Sequence, residues 1–457
     1  MAIIIKNGTV VSPTQSIMQD IRIEGEKIAQ VGESLPVTAE DTVYDARGNL
    51  IFPGFIDAHT HMDMDNGKIV TADDFASGGR AAIAGGTTLL IDFATQEKGH
   101  LMGEAFYQWM AKAEQKCSCD YAFHMAIIDW NEETRQELAN MFRIGVSSFK
   151  VYLAYDNLRI NDRELYELLC DMKKLGGIVG VHCENGDLVN ELVAEQLAAG
   201  NTSPAAHPVS RPAEVEAEAI SRLLYIAKLA DCPVHIVHLS TKLGLEEIRK
   251  ARSNGQTVYV ETCPQYLLMD DHVYSQPDFE GAKFVCSPPI RKKEDQEALW
   301  EGIINGEIQT IATDHCSYNF HGQKDLGIDD FSKIPNGLPG IEHRPELIYT
   351  YGVKTGRITQ EKMCEILASN NAKIFGCYPQ KGVIAPGSDA DIVIWQDCRE
   401  PITAASQHHN VDYTPYEGIE ILGKPKHVFL RGQEVFRDGK LLQPELGIYI
   451  NREPGGL

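Results

Sequence analysis

The sequence predicts an α/β fold, a (β/α)8 TIM barrel joined to a small β-sandwich domain formed by the N- and C-terminal segments. Three observations predict it. Through residues 53–379, short apolar runs alternate with longer helical patterns, as when parallel strands are covered by helices on both faces. Residues 1–52 and 380–457 instead show short β-rich runs between turn signals. Residues of metal-ligand type close several of the central apolar runs, where a barrel keeps its reacting groups.

In chain order, residues 3–5, 20–23 and 27–31 are β-rich, with turns at Asn7-Gly8 and Glu24-Gly25. Pro53-Gly54 then punctuates the chain. Eight candidate barrel strands follow, at 55–59, 87–92, 121–128, 147–153, 178–182, 234–238, 257–261 and 309–314. Helical patterns at 104–115, 132–141, 164–175, 214–230 and 244–251 separate most of them, and another spans 359–375. The β pattern returns at 387–394 and 427–436. This gives residues 1–52 with 380–457 as the small domain and 53–379 as the metal-dependent catalytic barrel. Residues 441–457 mix Pro, Gly and charge, and are expected to wrap a neighbouring subunit or, as termini more often do, to hang loose.

The bulk numbers narrow the function. The 457 residues suffice for one barrel and a smaller domain. The net charge of −23 argues against nucleic acid and anionic membrane surfaces, which recruit Lys and Arg. The N-terminal run Met1-Ala-Ile-Ile-Ile-Lys is too short for a signal peptide, and no stretch has the apolar length of a membrane span. Eleven cysteines without CxxC pairs suggest reduced thiols and a cytoplasmic protein.

The candidate site residues are His59 and His61 after strand one, Lys150 in strand four, His182 ending strand five, His238 ending strand six and Asp314 ending strand eight. On a strand, residues two apart point the same way, so His59 and His61 can grip one metal ion. Four imidazoles and a carboxylate suit zinc, and five such ligands exceed one open catalytic site, which implies two divalent ions. A bridge between them must be anionic. A buried lysine has a lowered pKa, and its neutral amine adds carbon dioxide to give a carbamate; Lys150 fits. Alone, Lys150 would read as a lysine snorkelling from a strand end. His124 and His235 read as core, His315 as support for its neighbour, and His272, His408 and His409 as surface.

The pieces Phe52-Pro-Gly-Phe-Ile-Asp-Ala-His-Thr-His, Ser148-Phe-Lys-Val-Tyr-Leu-Ala-Tyr, Val181-His-Cys-Glu-Asn, Val237-His-Leu-Ser, Ser287-Pro-Pro-Ile-Arg, Thr313-Asp-His-Cys, Pro335-Asn-Gly-Leu-Pro-Gly and Pro386-Gly-Ser-Asp-Ala-Asp resemble the cyclic amidohydrolases of the dihydropyrimidinase and D-hydantoinase group, over essentially the full length. The resemblance implies hydrolysis of dihydropyrimidines or 5-substituted hydantoins to N-carbamoyl amino acids. It assigns His59, His61 and Asp314 to one ion, His182 and His238 to the other, and carbamylated Lys150 to both. It further implies that Tyr155 contacts the substrate carbonyl, that the backbone at Ser287 and Asn336 reads the cyclic amide, that Asp314 carries the proton, and that the protein is a homotetramer or homodimer. The loop Met62-Asp-Met-Asp-Asn-Gly departs from many relatives. Asp63 and Asp65 stand where a dihydroorotase has an arginine, so a small neutral ring is expected, with Met62, Met64 and Phe93 as candidate walls for its substituent. Allantoinase and dihydroorotase-like activity are the alternatives, followed by a non-catalytic scaffold, which would lack metal ligands.

Overall fold

The structure, a computed structural model, describes residues 2–65 and 67–457; Met1 and Asn66, quoted above in the N-terminal run and the loop after His61, lie outside the described residues. Eight parallel strands form the central sheet, each beside the next in chain order: Phe55–Thr60, Thr87–Thr95, Asp120–Ala126, Ser148–Tyr152, Ile178–His182, Val234–Ile236, Val258–Thr262 and Thr310–Ile311. The first, third, fourth and fifth are buried at every residue. That explains their unbroken apolar runs, since neither face meets water. Helices between them start and stop on local signals. Asp162–Leu175, for example, has a reciprocal Asn161–Glu164 cap and ends at Gly176, whose φ of 76° only glycine adopts cheaply.

The first and eighth strands meet without a ladder among the described residues. Thr60 and His315 form a single bridge, and the His61 N–H donates to the His315 carbonyl at 2.7 Å. Lower in the seam lies Arg344, wholly buried. Its Nη1 donates to the carbonyls of Ile56 and Ile311 at 2.8 and 2.9 Å, and its Nη2 to Thr87 Oγ1 at 3.1 Å. One guanidinium thus supplies the donors that a ladder would have supplied.

Strands six and eight end earlier than the apolar pattern predicts, at Ile236 and Ile311 rather than 238 and 314. His238 and Asp314 have φ of 39° and 53°, and a left-handed residue cannot continue a strand.

The small domain is one nine-stranded mixed sheet built from both ends of the chain. Ile3–Val11 pairs antiparallel with Ser16–Glu24 and parallel with Leu50–Pro53, which pairs antiparallel with Ile392–Pro401. Lys27–Gly32 turns back towards the residues just before Ile392: Ile28 N–H donates to the Ser388 carbonyl at 3.0 Å, and Ala390 N–H to that of Glu26 at 2.8 Å. The sheet so curls around Ile5, Ile21, Ile28, Ile51, Ile392 and Phe429. A buried ion network joins it to the barrel. Lys381 Nζ reaches Asp120, at the base of strand three, at 2.6 Å, Asp391 at 2.7 Å and Asp389 at 3.0 Å, while Arg431 also pairs with Asp120.

The last residues do not hang loose. They lie across the N-terminal end of the barrel, where Tyr121 N–H donates to the Ile448 carbonyl and Ile450 N–H to that of Tyr121, at 3.0 and 2.8 Å. Buried Arg452 caps the barrel floor, donating to Ser148 Oγ at 2.8 Å, to the Phe375 carbonyl at 3.2 Å and to the Phe123 carbonyl. The mixed composition of 441–457 carried no sign of this, because open backbone groups at the strand bases attract it. No helix of the described residues is long and apolar enough to cross a membrane.

Candidate functional site

The C-terminal mouth of the barrel brings the predicted ligands into two adjoining groups. In the first, Nε2 of His59 and Nε2 of His61 each lie 3.2 Å from Asp314 Oδ1. His59 is the last inward residue of strand one, and Asp57 ties it to strand eight by accepting from the Thr313 hydroxyl at 2.7 Å. Burial opposes the charge on Asp314, yet His59, His61 and His238 hold its carboxyl well below the usual range.

In the second group, His182 Nδ1 faces His238 Nε2 at 3.0 Å. Burial, reinforced by His182 and Lys150, pushes His238 well below the ordinary imidazole value. The rings of His59 and His238, 5.4 Å apart, join the two groups. Lys150 is buried beside both, its Nζ 4.9 Å from the Phe93 ring and 5.2 Å from the Tyr152 ring. Burial pulls it down to about 8, although Asp314 and Glu261 pull the other way.

Two acids that sequence reasoning missed set the histidine tautomers. Glu261, one residue before the end of strand seven, faces His59 Nδ1 at 2.7 Å and accepts the backbone N–H of His238 at 3.1 Å. Glu184 faces His182 Nε2 at 3.0 Å and is held by Arg211 at 2.7 Å. Each acid takes one ring N–H and turns the other nitrogen's lone pair inward, the arrangement that carboxylates impose on metal-binding histidines. His59 Nε2 then presents a lone pair to a carboxylate oxygen. Both it and His238 Nδ1 are buried without a hydrogen-bond partner among the described residues. Facing acceptors repel unless a cation, either a proton shared by His59 and Asp314 or a metal ion, lies between them. The donor set, nitrogen and carboxylate oxygen, fits divalent zinc.

Tyr155 heads the loop after strand four, with a left-handed φ of 66°. Its ring packs 5.2 Å from that of His182 and 5.8 Å from the Arg211 guanidinium. Burial pushes its hydroxyl up to about 12, so it is a donor at neutral pH. Ser287 is buried and Asn336 half-buried. Their segments are latched together by the Gly337 N–H, which donates to the Val285 carbonyl at 3.0 Å.

Some expectations fail. Phe93 does not line a substituent pocket: its ring stacks on His61 at 5.0 Å and on His124 at 4.8 Å, beneath the ligands. Met62 is core, pressed against Gly78, where a Cβ would lie 2.3 Å from its sulfur. His409 is buried rather than superficial, accepting the Glu342 N–H at 3.3 Å, and His408 is half-buried against Glu342 at 2.8 Å. The polar neighbours Ser406 and Gln407 disguised both.

Comparison with known proteins agrees with this geometry. The sequence profile of the Amidohydrolase family matches residues 50–435. A D-hydantoinase of Geobacillus stearothermophilus is 43% identical over 100% of this chain and 98% of that protein. A D-phenylhydantoinase of Escherichia coli strain SE11 is 41% identical over 99% of both chains. The crystal structure of dihydropyrimidinase from Brevibacillus agri superposes with a TM-score of 0.98 at 42% identity, covering 100% of each chain. With the barrel and its inward-facing ligands in place, the chain belongs to the amidohydrolase family and, within it, to the dihydropyrimidinase and D-hydantoinase group.

Proposed function

We propose that this protein is a metal-dependent cyclic amidase that opens hydantoins and 5,6-dihydropyrimidines to N-carbamoyl amino acids. The observation that carries the proposal is the two groups of inward-facing ligands on either side of a buried lysine. His59, His61 and Asp314 would hold one divalent ion, His182 and His238 a second, and Lys150, carboxylated on Nζ, would serve both; zinc suits the set. Such ions, when bound, supply Lewis acidity and an acidified water as nucleophile. The chain does the rest. Backbone groups of Ser287 and Asn336 hold the ring's amide. The Tyr155 hydroxyl donates to the carbonyl oxygen as negative charge develops there. Asp314 accepts the attacking water's proton and delivers it to the departing ring nitrogen, so the C–N bond breaks to a neutral amide.

Neutral rings are favoured over dihydroorotate. Asp63 and Asp65 line the loop after His61, and Arg211, the buried cation beside Tyr155, is already paired with Glu184. We also infer a cytoplasmic homotetramer or homodimer. Eleven free thiols support the compartment. Tyr225 and Leu229, one turn apart and 70% and 76% exposed, support a subunit contact. The domain division, 1–52 with 380–457 beside 53–379, stands on the same footing. The test is a hydrolysis panel of dihydrouracil, hydantoin, 5-alkyl and 5-aryl hydantoins, allantoin and dihydroorotate, with elemental analysis of the same sample. Hydantoins or dihydrouracil should lead, with two ions per subunit. Comparable kcat/KM for dihydroorotate, or active protein with one ion or none, overturns the assignment.

A further inference from the structure

The loop after the eighth strand carries a lysine with no evident reason to be buried. Lys324, at the head of the short turn Lys324–Gly327, is 0% exposed. No carboxylate pairs with it among the described residues; its neighbours Cys286 and Cys316 are thiols that burial keeps protonated. Burying an ammonium in this way is expensive, and burial pulls its pKa down to about 7. A methionine would fill the space more cheaply. What the lysine supplies is two hydrogen bonds, from Nζ to the Val285 carbonyl at 2.9 Å and to the Pro335 carbonyl at 3.0 Å. Charged or neutral, the amine has the N–H bonds these need.

Those carbonyls flank the two segments proposed to hold the substrate. Val285 lies two residues before Ser287, and its oxygen also takes the Gly337 N–H. The Pro335 carbonyl shares one peptide unit with the Asn336 N–H, so a donor on that oxygen polarises the N–H and makes it a stronger donor in turn. Neighbouring acceptors are tied as well: the Cys286 carbonyl faces His207 Nε2 at 2.8 Å, and that of Pro288 takes the Tyr266 hydroxyl at 2.8 Å. The Ser287 backbone and the Asn336 N–H are left unpaired among the described residues. We propose that Lys324 is a positioning residue for amide recognition, clamping the Ser287 and Asn336 segments at one separation and polarising the Asn336 N–H. It touches no substrate itself, and its role rests on the cyclic amidase proposal.

The test compares wild-type, Lys324→Met and Lys324→Gln proteins, each loaded with metal. Lys324→Met should keep the metal content and the melting temperature. Its kcat/KM for hydantoin should fall about 10–100-fold, the scale on which a small misplacement of substrate-positioning groups costs rate, with most of the loss in KM. Inhibition by acetohydroxamate, which needs only the ions, should be unchanged. Lys324→Gln, which keeps a donor, should recover part of the loss. A general disturbance of the barrel mouth would weaken hydantoin and hydroxamate alike, and that result overturns the proposal. So do unaltered hydantoin kinetics, and so does failure of both variants to fold, which would make Lys324 a folding residue. If loaded wild-type protein opens no ring, the amidase proposal fails first and this one falls with it.

Discussion

At the scale of single residues, the site depends on who holds each proton. Asp314 is charged and half enclosed among imidazoles. Asp314→Asn keeps an oxygen for a metal but cannot carry a proton. Steady-state kinetics should show turnover down by ~10²–10⁴-fold, with the fold intact; less than tenfold would reduce Asp314 to a ligand. Glu261 acts one step back. Glu261→Gln weakens the pull on His59 Nδ1–H and frees the ring to adopt the wrong tautomer. Metal affinity, measured by competition with a chelator, should drop about 10–100-fold. The ligands were legible because all but Lys150, which lies within strand four, close or follow an apolar run, and Glu261 gives the same sign at the end of residues 257–261. Arg211 and Lys324 were not legible, since the partner of Arg211 lies 27 residues away and those of Lys324 are backbone carbonyls that no side-chain pattern marks.

At the scale of elements, the barrel was legible and its joints were not. Continuous apolar runs located all eight strands, because burial on both faces leaves a signal that single-face patterns lack. The ends of strands six and eight are set instead by left-handed backbone at His238 and Asp314, which side-chain hydrophobicity does not encode. The seam between the first and last strands is likewise invisible until Arg344 is seen spanning it. Arg344→Met removes donors from two carbonyls and leaves buried Asp57, 3.7 Å away, without its cation. The expected cost is about 3–5 kcal/mol, read as a shift in the urea midpoint. Because the seam sets His59 against Asp314, metal content should fall in the same variant.

At the scale of the whole molecule, barrel and sheet are joined through charge. Lys381 is surrounded by Asp120, Asp389 and Asp391; burial opposes its ammonium, but the three acids raise its pKa above the ordinary lysine value. Asp389 is lowered, Lys381 outweighing burial. The sign follows directly. The raised lysine stabilises the fold below its unfolded pKa and loses that contribution only as pH climbs through the folded value, above the ordinary lysine range. The lowered Asp389 stabilises above its unfolded pKa and loses that contribution as pH falls through its depressed value. Asp391, raised by burial, works the other way until pH passes its raised value; from there to roughly pH 10 the junction should add a constant stability. Lys381→Met should lower the melting temperature throughout that window, because three buried acids then face one another with Arg431 as their counter-charge, and should abolish the alkaline loss that the lysine's own deprotonation causes; a variant melting like wild type at pH 8 would show that Arg431 alone suffices.

The pairing of Leu50–Pro53 with Ile392–Pro401 also fixes an order of events on the ribosome. About 340 residues separate the two partners, so at common rates of synthesis the earlier strand waits roughly 20–70 s for the later one. During that interval it presents an open edge of Leu50, Ile51 and Phe52, the kind of surface on which nascent chains stick to one another. The hairpins of residues 3–32 can form at once, but the sheet they begin is finished only after the catalytic barrel has been made. Anything that slows translation through the barrel lengthens the exposure of that edge, and with it the time in which nascent chains can associate through it.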